Sequence, residues 1–124
     1  MHLLVTFGII LFLLILVINI LPYCSGIKIY RFYSPKCPYC VQSQCEWDSF
    51  KKMRFSQMFV PIDINRDNKC IKNITLMKKF NVTSVPYVVA TYKNIIIEYE
   101  GDRSVTSYKL WLDEIKVLID SNNL

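Results

Sequence analysis

The sequence predicts an α/β protein in which a central mixed sheet is flanked by helices and preceded by a single N-terminal transmembrane helix. Three observations carry this expectation. No Lys, Arg, Asp or Glu occurs before Lys28, so all 15 basic and 10 acidic residues of the 124 lie in the remainder. Beyond that boundary the readable elements run strand, helix, strand, helix, strand, strand, helix, an order that requires helices packed over a sheet. Two cysteines, in Cys37-Pro38-Tyr39-Cys40, fall where the first strand gives way to the first helix.

Two physically different segments therefore meet near Gly26, dividing the chain into an anchor over residues 1–26 and one folded domain over residues 27–124. From Leu3 to Leu21 the chain is apolar apart from Thr6, Gly8 and Asn19, and a helix rising about 1.5 Å per residue over that length nearly spans a hydrocarbon core. A cleaved signal segment is the alternative. It calls for a basic start, a shorter apolar run and small residues at the cut, and only Cys24-Ser25-Gly26 approximates any of these. The expectation is a single-pass membrane protein, in contact with the bilayer through Leu3 to Leu21. Its side is undecided, because Lys28, Arg31 and Lys36 favour a cytoplasmic domain whereas the sequons Asn73-Ile74-Thr75 and Asn81-Val82-Thr83 suit a secretory lumen.

Ile27 to Tyr33 alternates apolar and polar residues and then ends in aromatics, which suits a strand packed on at least one face; Ser34-Pro35-Lys36 breaks it. From Pro38 to about Arg54 the composition predicts a helix with Val41, Cys45, Phe50 and Met53 inward. Met58 to Ile64 reads as a second strand, expected to pair in parallel with the first through a crossover. Asn65 to Asn73 is polar and loop-like. Ile74, Met77 and Phe80 then recur at helical spacing, with Asn81 as a stop. Tyr87 to Tyr92 and Ile95 to Tyr99 flank the turn candidate Lys93-Asn94 and predict a hairpin. After Gly101, Tyr108, Leu112, Ile115 and Ile119 recur at steps of three or four and define the apolar face of a closing helix.

The spacing of Cys37 and Cys40 brings two sulfurs within bonding reach on a helix's first turn, so the pair can cycle between dithiol and disulfide. Cys37 is the expected thiolate, because unpaired N–H groups and the positive end of the helix dipole favour its anion, and Lys36 adds a nearby charge. Cys40, one turn in, is expected to be more enclosed and to resolve mixed disulfides. Neither Pro38 nor Tyr39 is basic, which predicts an intermediate potential of roughly −180 to −240 mV. The same spacing is also half of a zinc site, for which Cys45 and Cys70 are the available further ligands. Otherwise Cys45 reads as a small buried hydrophobe, Cys70 as free, paired with another chain or bonded to Cys45, and Cys24 as acylated or idle. Five cysteines are too few, and odd in number, for a disulfide-stapled scaffold. The net charge of +5 is spread along the chain, which argues for a solubilising surface and against nucleic acid as a partner.

With Cys37-Pro38-Tyr39-Cys40, Ser84-Val85-Pro86-Tyr87 and Tyr99-Glu100-Gly101-Asp102-Arg103 in view, the chain from about Ile27 to Leu118 resembles the thioredoxin superfamily. The dithiol looks like that of glutaredoxins, and the segment from Phe80 to Arg103 looks like protein disulfide isomerase catalytic domains. The resemblance implies a thiol–disulfide oxidoreductase that needs no cofactor beyond a redox-active Cys37–Cys40 disulfide, acts on protein thiols and disulfides at a membrane surface, and exchanges electrons with an upstream redox partner. It implies Cys37 as nucleophile, Cys40 as resolving thiol, a cis-proline at Pro86, and substrate contacts from Val85, Pro86 and Tyr39. Arg103 matches an arginine that approaches the second cysteine and lowers its pKa. The sequence departs from the pattern at Arg31, where related proteins often carry a buried Asp or Glu that shuttles protons. A binding module of the same fold, without turnover, is the alternative from a different class.

Overall fold

The computed structural model describes residues 1–53, 58–65 and 70–121, with backbone only for residues 18–25. Its elements run α1 (His2–Ser25), β1 (Ile27–Tyr33), α2 (Pro38–Gln42), α3 (Gln44–Lys52), β2 (Phe59–Asp63), α4 (Ile71–Lys79), β3 (Tyr87–Tyr92), β4 (Ile95–Glu98) and α5 (Val105–Ser121). The sheet order is β2-β1-β3-β4. β1 pairs in parallel with β2 and antiparallel with β3, and β3 pairs antiparallel with β4.

Strand alternation sends the side chains of the central strand to two different cores. Ile27 and Ile29 join Trp47 and Phe50 of α3, Val88 and Ala90 of β3, and Tyr108, Leu112 and Ile115 of α5. Phe32 faces the other way and packs with Ile62, Val89 and Phe80, beneath Leu76 and Met77 of α4. Each face of the sheet is thus covered by helix, as the element order requires. Lys93 takes a φ of 52° in the β3–β4 turn, and Asn81 takes the same value where α4 stops, a left-handed conformation that asparagine tolerates well.

Three expectations are corrected. The long helix from Pro38 is two helices, broken at Ser43, whose own N–H bonds back to the carbonyls of Tyr39 and Val41. The inward face is Cys40, Ser43, Trp47 and Phe50, while Val41, Cys45 and Met53 are exposed. Trp47 decides this, because its ring meets Phe50, Phe59 and Tyr108 with centroids 5.1 to 5.7 Å away, and seating so large an apolar surface sets the rotation of the helix.

The third correction concerns the membrane. No helix among the described residues is long and apolar enough to cross one, which overturns the expected transmembrane helix, the bilayer contact through Leu3 to Leu21 and the single-pass localisation. Residues 18–21 of the expected span, and Cys24, lie outside the described side chains, as do residues 66–69 of the expected loop and the end of the first helix at Arg54.

Candidate active site

The site is built where β1 ends. Ser34 and Pro35 end the strand, and the Cys37 N–H donates to the Ser34 carbonyl at 3.1 Å, so the chain turns directly into α2. Cys37 is the N-cap, in extended backbone with φ −81° and ψ 119°, and Pro38 takes the first helical turn, where its missing N–H costs nothing. Across from it the Val85–Pro86 peptide is cis. The Cys37 thiol donates to the Val85 carbonyl at 3.7 Å. Behind Pro86, a cleft of about 200 Å³ is lined by Tyr99, Glu100, Arg103 and Tyr108 among others.

The two thiols differ physically. Cys37 is half-buried and Cys40 is 1% exposed. The Cys37 pKa lies below the ordinary thiol value, first because the Cys40 backbone N–H and thiol point at its sulfur, then through the Tyr39 N–H and the charge of Arg103. Burial pushes the Cys40 thiol the other way, and the neighbouring Cys37 sulfur adds to that rise. These are the orientations the helix start dictates: N–H groups converge on the N-cap sulfur, while the sulfur one turn in faces the protein interior.

The structure brings Cys37, Cys40, Val85, Pro86, Tyr39 and Arg103 together. Tyr39 is 60% exposed, and the Arg103 guanidinium sits over its ring at 5.2 Å. The Arg103 charge is the smallest of the causes that lower Cys37. Lys36 is exposed and is not among the main groups that lower Cys37. Its backbone N–H instead donates to Ser34 Oγ at 3.2 Å.

The arginine that reaches Cys40 is Arg31, which donates to the Cys40 carbonyl at 3.2 Å. Its place was legible in strand parity, since Ile27 and Ile29 point into the α3/α5 core and the next residue on that face is Arg31. The buried hydroxyls of Ser34 and Ser43 carried no sequence signal of their own. Ser43 Oγ donates to Tyr39 O at 2.7 Å and Ser34 Oγ accepts from Asn65 Nδ2 at 2.5 Å, so both tie down the segments that bracket the dithiol. As for zinc, no group of three or more His, Cys, Asp or Glu among the described residues is arranged to hold a metal ion. Cys45 on α3 and Cys70 at the N-cap of α4 are both exposed free thiols. Cys37 and Cys40 supply a redox-capable centre from the chain's own side chains.

A mixed four-stranded sheet between helices, with a dithiol at the start of the helix after β1 and a cis-proline facing it, is the thioredoxin fold. The J-Trx1 fragment of ERdj5 superposes with a TM-score of 0.60 at 22% identity, over 72% of this chain and 41% of that one. The first thioredoxin domain of mouse protein disulfide-isomerase A4 gives 0.59 at 20% identity, over 73% and 64%. A thioredoxin domain-containing protein from Theileria parva is 28% identical over 78 residues, 62% of this chain and 33% of the relative, so the chain spans about a third of that protein's length. No family model matches the sequence.

Proposed function

We propose that this chain is a thiol–disulfide oxidoreductase whose folded part, residues 27–124, exchanges disulfides with protein substrates through Cys37 and Cys40. The observation that carries the reading is the asymmetry of the pair, an accessible sulfur with a lowered pKa beside an enclosed one with a raised pKa. The Cys37 thiolate attacks one sulfur of a substrate disulfide, the substrate S–S bond breaks, and one substrate cysteine leaves as a thiolate that takes a proton from water. Cys40 then loses its proton and attacks the Cys37 sulfur. The second substrate cysteine departs and the Cys37–Cys40 disulfide remains, two electrons having passed to the substrate. An external dithiol, the upstream partner, returns them. Run backwards, the same steps oxidise a substrate dithiol.

Val85 and Pro86 border the entry to Cys37, and their backbone suits an extended substrate segment laid beside the sulfur. The Arg103 guanidinium, stacked on Tyr39, lines the same cleft as Pro86. The names of the similar proteins, thioredoxin domains and a disulfide isomerase, support the same class of reaction.

The test is reduction of insulin by the reduced chain, with trapping. Cys40→Ser is expected to accumulate a mixed disulfide at Cys37, and Cys37→Ser to abolish both turnover and trapping. If turnover survives Cys37→Ser, or if the unsubstituted dithiol neither reduces insulin nor forms a mixed disulfide, the proposal is wrong.

A further inference from the structure

Arg31 is 2% exposed. Its guanidinium donates to Gln44 Oε1 at 3.0 Å, to Cys40 O at 3.2 Å and to Ser43 Oγ at 3.4 Å. All three acceptors are neutral. The rings of Tyr33 and Trp47 lie 5.3 and 5.4 Å from its central carbon, and its Nε has no hydrogen-bond partner among the described residues. Asp48 reaches this cluster through Gln44, which donates to Asp48 Oδ1 at 2.9 Å. A guanidinium taken out of water and met by neutral oxygens and ring faces is incompletely compensated. Of the titratable groups around it, the Cys40 thiol exerts the strongest charge effect, ahead of Tyr108, Asp48 and Tyr33.

We propose that Arg31 is a positioning residue that acts through Cys40, its guanidinium serving as the buried counter-cation of the Cys40 thiolate and so favouring the resolving step. The inference rests on the oxidoreductase reading. A guanidinium cannot accept a proton, so Arg31 does not remove the Cys40 proton; that proton goes to water. What Arg31 changes is the stability of the anion left behind, which attacks the Cys37 sulfur of the mixed disulfide, forms the Cys37–Cys40 bond and releases the substrate as a thiolate that is then protonated.

The groups that act on Cys40 are the Ser34 backbone N–H after β1, the Cys37 sulfur at the start of α2 and Arg31 on β1, and Arg31 itself is faced by Tyr33 on β1, Asp48 on α3 and Tyr108 on α5. Of these, Arg31 is the cation. Burial first, and then the Cys37 sulfur, raise the Cys40 pKa; the Ser34 backbone N–H and, after it, the Arg31 charge oppose them.

The test uses the full chain carrying Cys37→Ser, with alkylation of Cys40 followed against pH and quantified at the Cys40 peptide by mass spectrometry, so that the other thiols do not contribute. Arg31→Gln is expected to move the midpoint upward and to slow alkylation at pH 7 by at least about tenfold, the low end of what an adjacent opposite charge does to an acid. Arg31→Lys, which keeps a cation, is expected to stay within about threefold of the parent. With both cysteines present, Arg31→Gln should leave the equilibrium with glutathione at pH 7 within about twofold of the parent, because Cys40, its pKa raised, is a protonated thiol in the reduced pair, while release of substrate from the Cys37 mixed disulfide slows about tenfold. A folded Arg31→Gln protein with an unmoved Cys40 midpoint overturns the proposal. If that variant does not fold, Arg31→Lys decides, and a tenfold slowing in the folded lysine variant overturns the proposal equally. Insulin reduction by the unsubstituted chain is measured alongside. Activity with an immobile Cys40 midpoint removes the role of Arg31 alone, whereas a moving midpoint in a chain without activity removes the oxidoreductase reading.

Discussion

Truncating Phe50 to alanine tests whether the aromatic cluster under α3 is what seats the dithiol helix. Phe50 is fully buried, and the rings of Trp47, Phe59 and Tyr108 are centred 5.6, 5.4 and 5.4 Å from its own. Removing a buried phenylalanine costs about 3–5 kcal/mol through lost burial and the cavity left behind. Each aromatic contact adds about 0.5–1.5 kcal/mol beyond area, so with three lost together the expected value is the upper part of that range, about 4–5 kcal/mol. For a folded part of this size each kcal/mol lowers Tm by about 4–8 °C, which predicts a fall of at least about 16 °C. Urea unfolding of the reduced chain, followed by circular dichroism, measures the loss, and calorimetry checks Tm. Phe50→Leu, which refills most of the volume, should cost less. Because α3 continues the chain from α2, Phe50→Ala should also speed alkylation of Cys40 under native conditions. A loss below about 1.5 kcal/mol at unchanged denaturant slope would refute the reasoning, by showing that the neighbours collapse into the space.

Carboxymethylation of Cys37 against pH should give a midpoint below the ordinary thiol value of about 8.5, and Arg103→Gln or Tyr39→Ala should move it upward. The linked stability of the reduced chain has a definite sign: a depressed thiol pKa stabilises the fold above the unfolded value and loses that contribution as pH falls through the folded one, so Cys37→Ser should remove this slope. Tyr87 and Tyr99 are each pushed up to about 12, by burial first, and Tyr87 additionally by its hydrogen bond to Glu98. Absorbance titration at 295 nm should show these phenols, together with the buried Tyr108, ionising after the exposed ones, with the stability Tyr87 and Tyr99 lend fully present below about pH 10 and lost as pH rises toward 12. Glu98→Gln should bring Tyr87 down.

Much of this architecture was legible because it rests on strong local patterns. The β1 segment, the Lys93-Asn94 turn and the face of α5 follow from alternation and periodicity, and Tyr108, Leu112, Ile115 and Ile119 are all buried as their spacing implied. The first helix was misread for an identifiable reason. Its inward face contains a buried polar residue, Ser43, and its main apolar member, Trp47, stands between Glu46 and Asp48, so hydropathy alone pointed to the neighbouring face. Arg31 is a similar case: the alternation of Ile27 and Ile29 extends to it, while its charge favours the surface. Its burial is possible because α2 and α3 offer carbonyl, amide and hydroxyl oxygens and two ring faces at the end of β1, and those acceptors come together only in the folded chain. The stacking of Arg103 on Tyr39 joins residues far apart in sequence, a contact that no local pattern records.

The central strand of the sheet is also the first one made. Ile29 finds its neighbours only at Phe59 on one side and Ala90 on the other, so a ribosome must add most of the remaining chain before that strand is enclosed. Long closures of this kind slow folding. During elongation Cys40 therefore spends time as an open thiol, without the shelter it later has on the inner face of α2, and the nascent chain is itself a target for the sulfur chemistry that its finished form is built to perform.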